Sequence, residues 1–179
     1  MPYRRLPNTD ISRIKALRTA IEKSANTDFL NVALSVKTLS EAKKAVAQFE
    51  TLCNKYQQTL DTQVKANIAF QPKVKNARLY ISHFIQVLYM AVIRNEIKEE
   101  HLDLYGLQKQ NLTLPELNSN DQIFEWGKKI IEGEKKRISQ GGVPLYNPGI
   151  ARVTVMYTQF KEGYQTQKIH QNATARTHA

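Results

Sequence analysis

The strongest constraint in this chain is a heptad repeat. Leu39, Val46, Cys53 and Leu60 fall seven residues apart, with Ala42, Phe49 and Tyr56 between them. No Gly or Pro occurs between Thr38 and Gln71. Apolar residues at alternating steps of three and four lay one seam along a helix, so this stretch predicts an α-helix of about 30 residues. Thr38-Leu39-Ser40-Glu41 has the capping-box form and predicts where that helix starts.

Pro72 interrupts the run, and the residue before a proline is biased out of helical geometry. Beyond it, Val74, Ala77, Ile81, Phe84, Leu88 and Ala91 make a second seam. Leu79, Ile85, Tyr89, Val92 and Ile93 add apolar groups on other faces, as expected of a central helix. The chain either kinks at Pro72 or turns back, and the favoured expectation is a turn at 71–72 joining two long antiparallel helices, 39–70 and 73–104, with Gly106 closing the second.

Shorter helices flank this pair. Ile11, Ile14, Leu17, Ile21 and Ala25 form an apolar stripe opposite Arg13, Lys15, Arg18 and Lys23, and Asn8, Thr9 and Asp10 are all N-cap candidates. Ser119 and Gln122 form a second capping box before Ile123, Trp126, Ile130, Ile131 and Ile138, and Gly141-Gly142 ends that helix. Gly127 and Gly133 weaken it by roughly 1 kcal/mol each against alanine if exposed. Asn147 and Pro148 are expected to cap and start a last helix carrying Ile150, Val153, Tyr157, Phe160 and Tyr164. Residues 26–37 fit either a short helix or an extended link. The expected fold is all-α: an up-down bundle of four to five helices forming one domain over residues 1–171, with a flexible tail at 172–179.

Composition narrows the chemistry. The net charge is +10, from 26 Lys and Arg against 16 Asp and Glu. The excess sits mainly at the ends: residues 1–25 hold six basic and two acidic groups, and residues 143–179 hold four and one. Arg4 and Arg5 precede any acidic residue and are one candidate anion contact. Lys128, Lys129, Lys135, Lys136 and Arg137 are another, although Glu125, Glu132 and Glu134 are interleaved and Glu132 is placed to pair with Lys136. Tyr146 and Asn147 lie in the single Gly/Pro-rich stretch and are a candidate partner contact.

Catalytic patterns are missing. A di-iron bundle needs two Glu-x-x-His pairs, and the nearest approach, Glu99-Glu100-His101, has the wrong spacing. Neither a His-Glu-x-x-His motif nor a Gly-rich phosphate loop occurs. The single cysteine, Cys53, sits at an inward heptad position and reads as a small buried hydrophobe. His83 beside Phe84 reads as a core or boundary histidine, with a ligand site near His83 and Tyr89 as the sharper alternative. No catalytic residue, metal ligand or cofactor is assigned.

The opening Arg5-Leu6-Pro7-Asn8-Thr9-Asp10, followed by Ile11, Ile14 and Leu17, resembles the N-terminus of a group of basic, all-helical bacterial proteins. The resemblance implies a bacterial cytoplasmic helical protein and carries over no functional residue. The functional expectation is a non-enzymatic interaction or scaffold protein, self-associating or bound to a protein partner, and not a membrane protein. The alternative is a basic bundle that holds a nucleic-acid backbone through its basic ends.

Overall fold

A computed structural model describes residues 6–27, 35–109 and 112–178. The described residues are all-α, with no strand among them: α1 Asp10–Ala25, α2 Val36–Ile93, a 3-10 helix Glu99–Tyr105, α3 Asn120–Ser139 and α4 Ile150–His178. Contacts divide the chain into two compact units, Met1–Thr62 with Asn172–Ala179, and Gln63–Gln171. These boundaries differ from the single domain expected over 1–171. The alternatives for 26–37 fall largely on residues 28–34, outside the described residues; Val36 onward is helical.

The expected turn at 71–72 is not there. Pro72 lies inside α2, a single helix of 58 residues, so the pair of antiparallel helices 39–70 and 73–104 is corrected to one helix. Two physical facts explain this. Pro72 and Ile68, whose carbonyl loses its partner, are both exposed, so water can take the orphaned oxygen. The two apolar seams are also one seam. Leu39, Val46, Cys53 and Leu60 continue in steps of seven through Asn67 to Val74, Ile81 and Leu88. A turn would reset that phase. The helix begins at Val36 because Ser35, not Thr38, is the cap: its hydroxyl accepts the Thr38 N–H at 3.1 Å and its carbonyl the Leu39 N–H at 3.0 Å.

The other end is also earlier than expected. α2 stops at Ile93 because Asn95 takes the left-handed conformation at φ 58°. The Glu96 N–H then bonds the Ala91 carbonyl and the Asn95 N–H the Val92 carbonyl, both at 2.9 Å, a Schellman closure with asparagine in the glycine position. Gly106 does end an element, the 3-10 helix, with φ 67°.

In the first unit, Thr9 and Ser12 make the reciprocal cap of α1. Arg18 on α1 meets Glu50 on α2 at 2.6 Å, and Val46 is buried. The α1 stripe is only partly covered: Ile14 and Ile21 are half-buried while Ile11 is exposed. The expected tail is helical as far as His178. Buried Thr174 donates to the Thr59 carbonyl at 3.2 Å, and the Thr177 and Thr59 hydroxyls lie 3.0 Å apart. This polar continuation of the α4 seam is invisible to a search for apolar periodicity.

The second unit holds the main core. Phe70, Ala77, Ile81, Phe84, Leu88 and Ala91 of α2 pack with Leu102 and Tyr105, Ile123 and Ile130 of α3, and Val153 and Phe160 of α4. Phe124 is the centre of an aromatic cluster, 4.7 Å from Phe160 and 5.1 Å from Tyr164 between ring centroids. Gly127 and Gly133 are buried, and each allows a close approach: a Cβ would stand 2.4 Å from the Tyr157 ring and 2.6 Å from the Tyr105 ring, respectively. Their cost in helix propensity is therefore offset by packing.

The reciprocal cap of Ser119 and Gln122 is present as expected, with the Gln122 N–H on the Ser119 hydroxyl at 3.2 Å and the Ser119 N–H on the Gln122 amide oxygen at 2.9 Å. α4 starts at Ile150, two residues beyond the expected Pro148, and the Gly149 carbonyl accepts its first bonds.

Candidate functional site

The inward face of α3 reads Ile123, Gly127, Ile130, Glu134, Arg137, all buried. Two opposite charges thus stand where the seam calls for apolar groups. Both are deeply enclosed, with Glu134 side-chain exposure at 0% and Arg137 at 3%. Burying a charge is expensive unless it is paired and fully hydrogen-bonded.

Here the pairing is complete. The Arg137 guanidinium donates Nε to Glu134 Oε2 and Nη2 to Glu134 Oε1, both at 2.8 Å. The Tyr105 hydroxyl donates to Glu134 Oε2 and accepts from Arg137 Nε at 3.0 Å. Burial pushes the Tyr105 phenol far above its usual range, helped by Glu134, so it stays a donor. Burial also pushes Glu134 up, but bonds from Arg137, Tyr105 and the Leu145 N–H together carry its carboxyl below the ordinary value. The Glu134 hydrogen bonds hold the Arg137 guanidinium above its ordinary value. None of these shifts moves a proton-exchange point toward neutral pH, so the network acts as a clamp rather than an acid–base pair.

What it clamps is the segment after α3. Arg137 Nη2 donates to the Val143 carbonyl at 2.7 Å, and Glu134 Oε1 accepts the Leu145 N–H at 3.2 Å. Gly142 leaves room for the guanidinium, since a Cβ there would meet Arg137 Nη1 at 2.6 Å. The segment so fixed presents Val143 and Tyr146 outward, 75% and 79% exposed. Beside it opens a groove of about 640 Å³ lined by Arg94, Lys98, His101, Arg137, Val143 and Tyr146 among others.

The residues named from sequence fare differently. Arg4 and Arg5 lie outside the described residues. Lys128 stands 4.0 Å from Glu132, and Lys129 is 2.5 Å from Glu125 with its Nζ over the Trp126 ring at 4.7 Å. The expected Glu132–Lys136 partnership is thus replaced by Glu132–Lys128. Lys135 and Lys136 are exposed, but Arg137 is buried and parts from them. A basic stripe of five is therefore corrected to two exposed lysines, two paired ones and an internal ion pair. Tyr146 is exposed on its loop, and Asn147 has φ 58°. His83 is exposed rather than in the core, while buried Tyr89 donates to the Thr113 carbonyl at 3.0 Å. Cys53 is half-buried beside Phe49 and Tyr56.

Tyr105 and Lys98 were not singled out from sequence, His101 was weighed only as a di-iron ligand, and Glu134 only as a charge interleaved with the lysines. A signal for the clamp existed: Glu134 and Arg137 extend the Ile123–Gly127–Ile130 spacing, and charges in phase with a buried stripe mark an internal pair. Among the described residues, no group of three or more His, Cys, Asp or Glu is gathered to hold a metal ion, and no helix is long and apolar enough to cross a membrane. Compared with protein-family models, with curated proteins and with solved structures, the chain matches none.

Proposed function

We propose that the chain is a non-enzymatic helical interaction protein that associates with a second copy of itself. One observation carries this reading. Val64, Ile68, Leu79, Met90 and Ile93 on α2 are each 50 to 66% exposed. At 100° per residue they fall within about 80° of one another, an outer stripe about 43 Å long. Large apolar groups scattered singly need no explanation, but five aligned on one helix mark a contact surface. A specific interface buries about 1,000 Å² or more in total, which a stripe of this length can supply against a matching helix. The cytoplasm is the compartment we propose, since the lone Cys53 has no cysteine to pair with in the chain.

The test is the solution mass at about 50 mM and 500 mM salt, with absorbance at 260 and 280 nm. Copies of charge +10 repel one another, so apolar association is expected to hold or strengthen as salt screens the charge. The pair Ile68→Glu and Leu79→Glu is expected to return the monomer. A monomer at both salts would refute the proposal. Absorbance at 260 nm that co-elutes at low salt and is stripped at high salt would replace it with nucleic-acid binding through the basic groups.

A further inference from the structure

The groove beside the clamp is richer in donors than its surroundings require. Arg137 spends Nε and Nη2 on Glu134, Tyr105 and Val143, while among the described residues Nη1 bonds no protein group. Arg137 lines the groove, and among the described residues one buried side-chain polar atom lacks a partner, His101 Nδ1. A buried N–H without an acceptor costs more than a buried lone pair, so the His101 proton belongs on Nε2. That leaves Nε2–H as a second open donor. Lys98 is exposed on the same wall and, among the described residues, forms no ion pair; Arg94 is engaged by Glu96 at 2.7 Å. The one carboxylate lining the groove, Glu96, is therefore taken, and Glu134 is enclosed behind Arg137.

We propose that this groove binds an organic phosphate. Arg137 Nη1, His101 Nε2 and Lys98 take the phosphate, and Val143, Pro144 and Tyr146 take its apolar part. Three unused donors on one wall match the several acceptor oxygens of a phosphate better than the two of a carboxylate. The arginine is fixed before binding by its bonds to Glu134, so little ordering is lost when the ligand arrives. A volume of about 640 Å³ is far more than a bare ion fills and lies in the range of small-molecule sites. The exposed Tyr146 ring and the Val143–Pro144 edge give a flat organic moiety a surface to lie on.

The test is a nitrogen–proton NMR titration of the full chain with adenosine monophosphate, adenosine and inorganic phosphate at about 50 mM salt. Adenosine monophosphate is expected to shift the amides of His101, Gly142 and Val143, and to bind at least tenfold tighter than adenosine. Arg137 cannot be replaced without disturbing the core, so the variant is Lys98→Ala with His101→Ala. It is expected to weaken binding tenfold or more while the Trp126 indole signal stays in place. Absence of shifts at these amides with either phosphate up to about 5 mM overturns the proposal, as does unchanged affinity in the double variant.

Discussion

Replacing Glu134 by glutamine tests the clamp most directly. The carboxylate accepts four hydrogen bonds, from the Tyr105 hydroxyl, Arg137 Nε, Arg137 Nη2 and the Leu145 N–H. Glutamine keeps one acceptor oxygen, turns an NH₂ toward these donors and removes the negative charge. The guanidinium it leaves behind is 3% exposed. Removing one partner of a buried ion pair costs about 3–5 kcal/mol. For a chain of this size that is a fall in melting temperature of roughly 6 to 20 °C. Trp126 is the sole tryptophan and lies on α3, so its fluorescence reports this unit in a urea or thermal melt.

The double variant Glu134→Met with Arg137→Met is expected to recover most of the loss, because neither charge is then stranded. The pH dependence gives an independent check. The folded carboxyl sits below its ordinary value, so its contribution is complete above about pH 4.3 and fades as pH falls through the lower folded value. The gap between wild type and Glu134→Gln should therefore narrow below about pH 4. A cost under about 1 kcal/mol for Glu134→Gln, or a double variant as unstable as the sum of the singles, would refute this reasoning.

Two further substitutions probe the fold. Pro72→Ala is expected to stabilise α2 by about 2 kcal/mol, the helix-interior cost of proline less its advantage in the unfolded chain, read as a rise in the urea midpoint. A neutral or destabilising result would put a turn back at 71–72. Gly133→Ala is expected to destabilise by about 1–3 kcal/mol despite the better helix former, because the new Cβ would stand 2.8 Å from the Leu104 carbonyl oxygen. A gain in thermal stability would show that α3 does not approach the 3-10 helix this closely.

The helical class, the reciprocal cap at Ser119, the N-cap region at 8–10 and the stop at Gly141 were legible because each rests on local periodicity or local bonding. Pro72 misled because a local preference was set against a longer-range register. Thirty-five residues separate Leu39 from Val74, five whole heptads, and that phase outranks one missing N–H. The residues 172–178 were missed for a related reason: a seam of Thr174 and Thr177 buries hydroxyls, which carry no apolar signal. In the candidate site, the charge run Lys135-Lys136-Arg137 looks uniform in one dimension, while the helix turns Arg137 alone toward the core. The groove itself joins residues about 40 apart and could not be read from spacing.

The junction of Asn67 with α4 bears on how this chain finds one alignment among several. Asn67 keeps the phase of the α2 seam but is solvent-exposed, and its Oδ1 accepts from Gln167 Nε2 at 2.8 Å and from Gln71 Nε2 at 3.3 Å. A seam made only of apolar residues would tolerate sliding by a whole heptad, since each knob would find an equivalent hole. Here one such slide of the antiparallel pair would set Asn67 against Phe160 and Gln167 against Leu60, so the bond between the two amides would be lost. The amide pair thus adds a register-specific bond that favours the observed alignment of α2 and α4 over its neighbours.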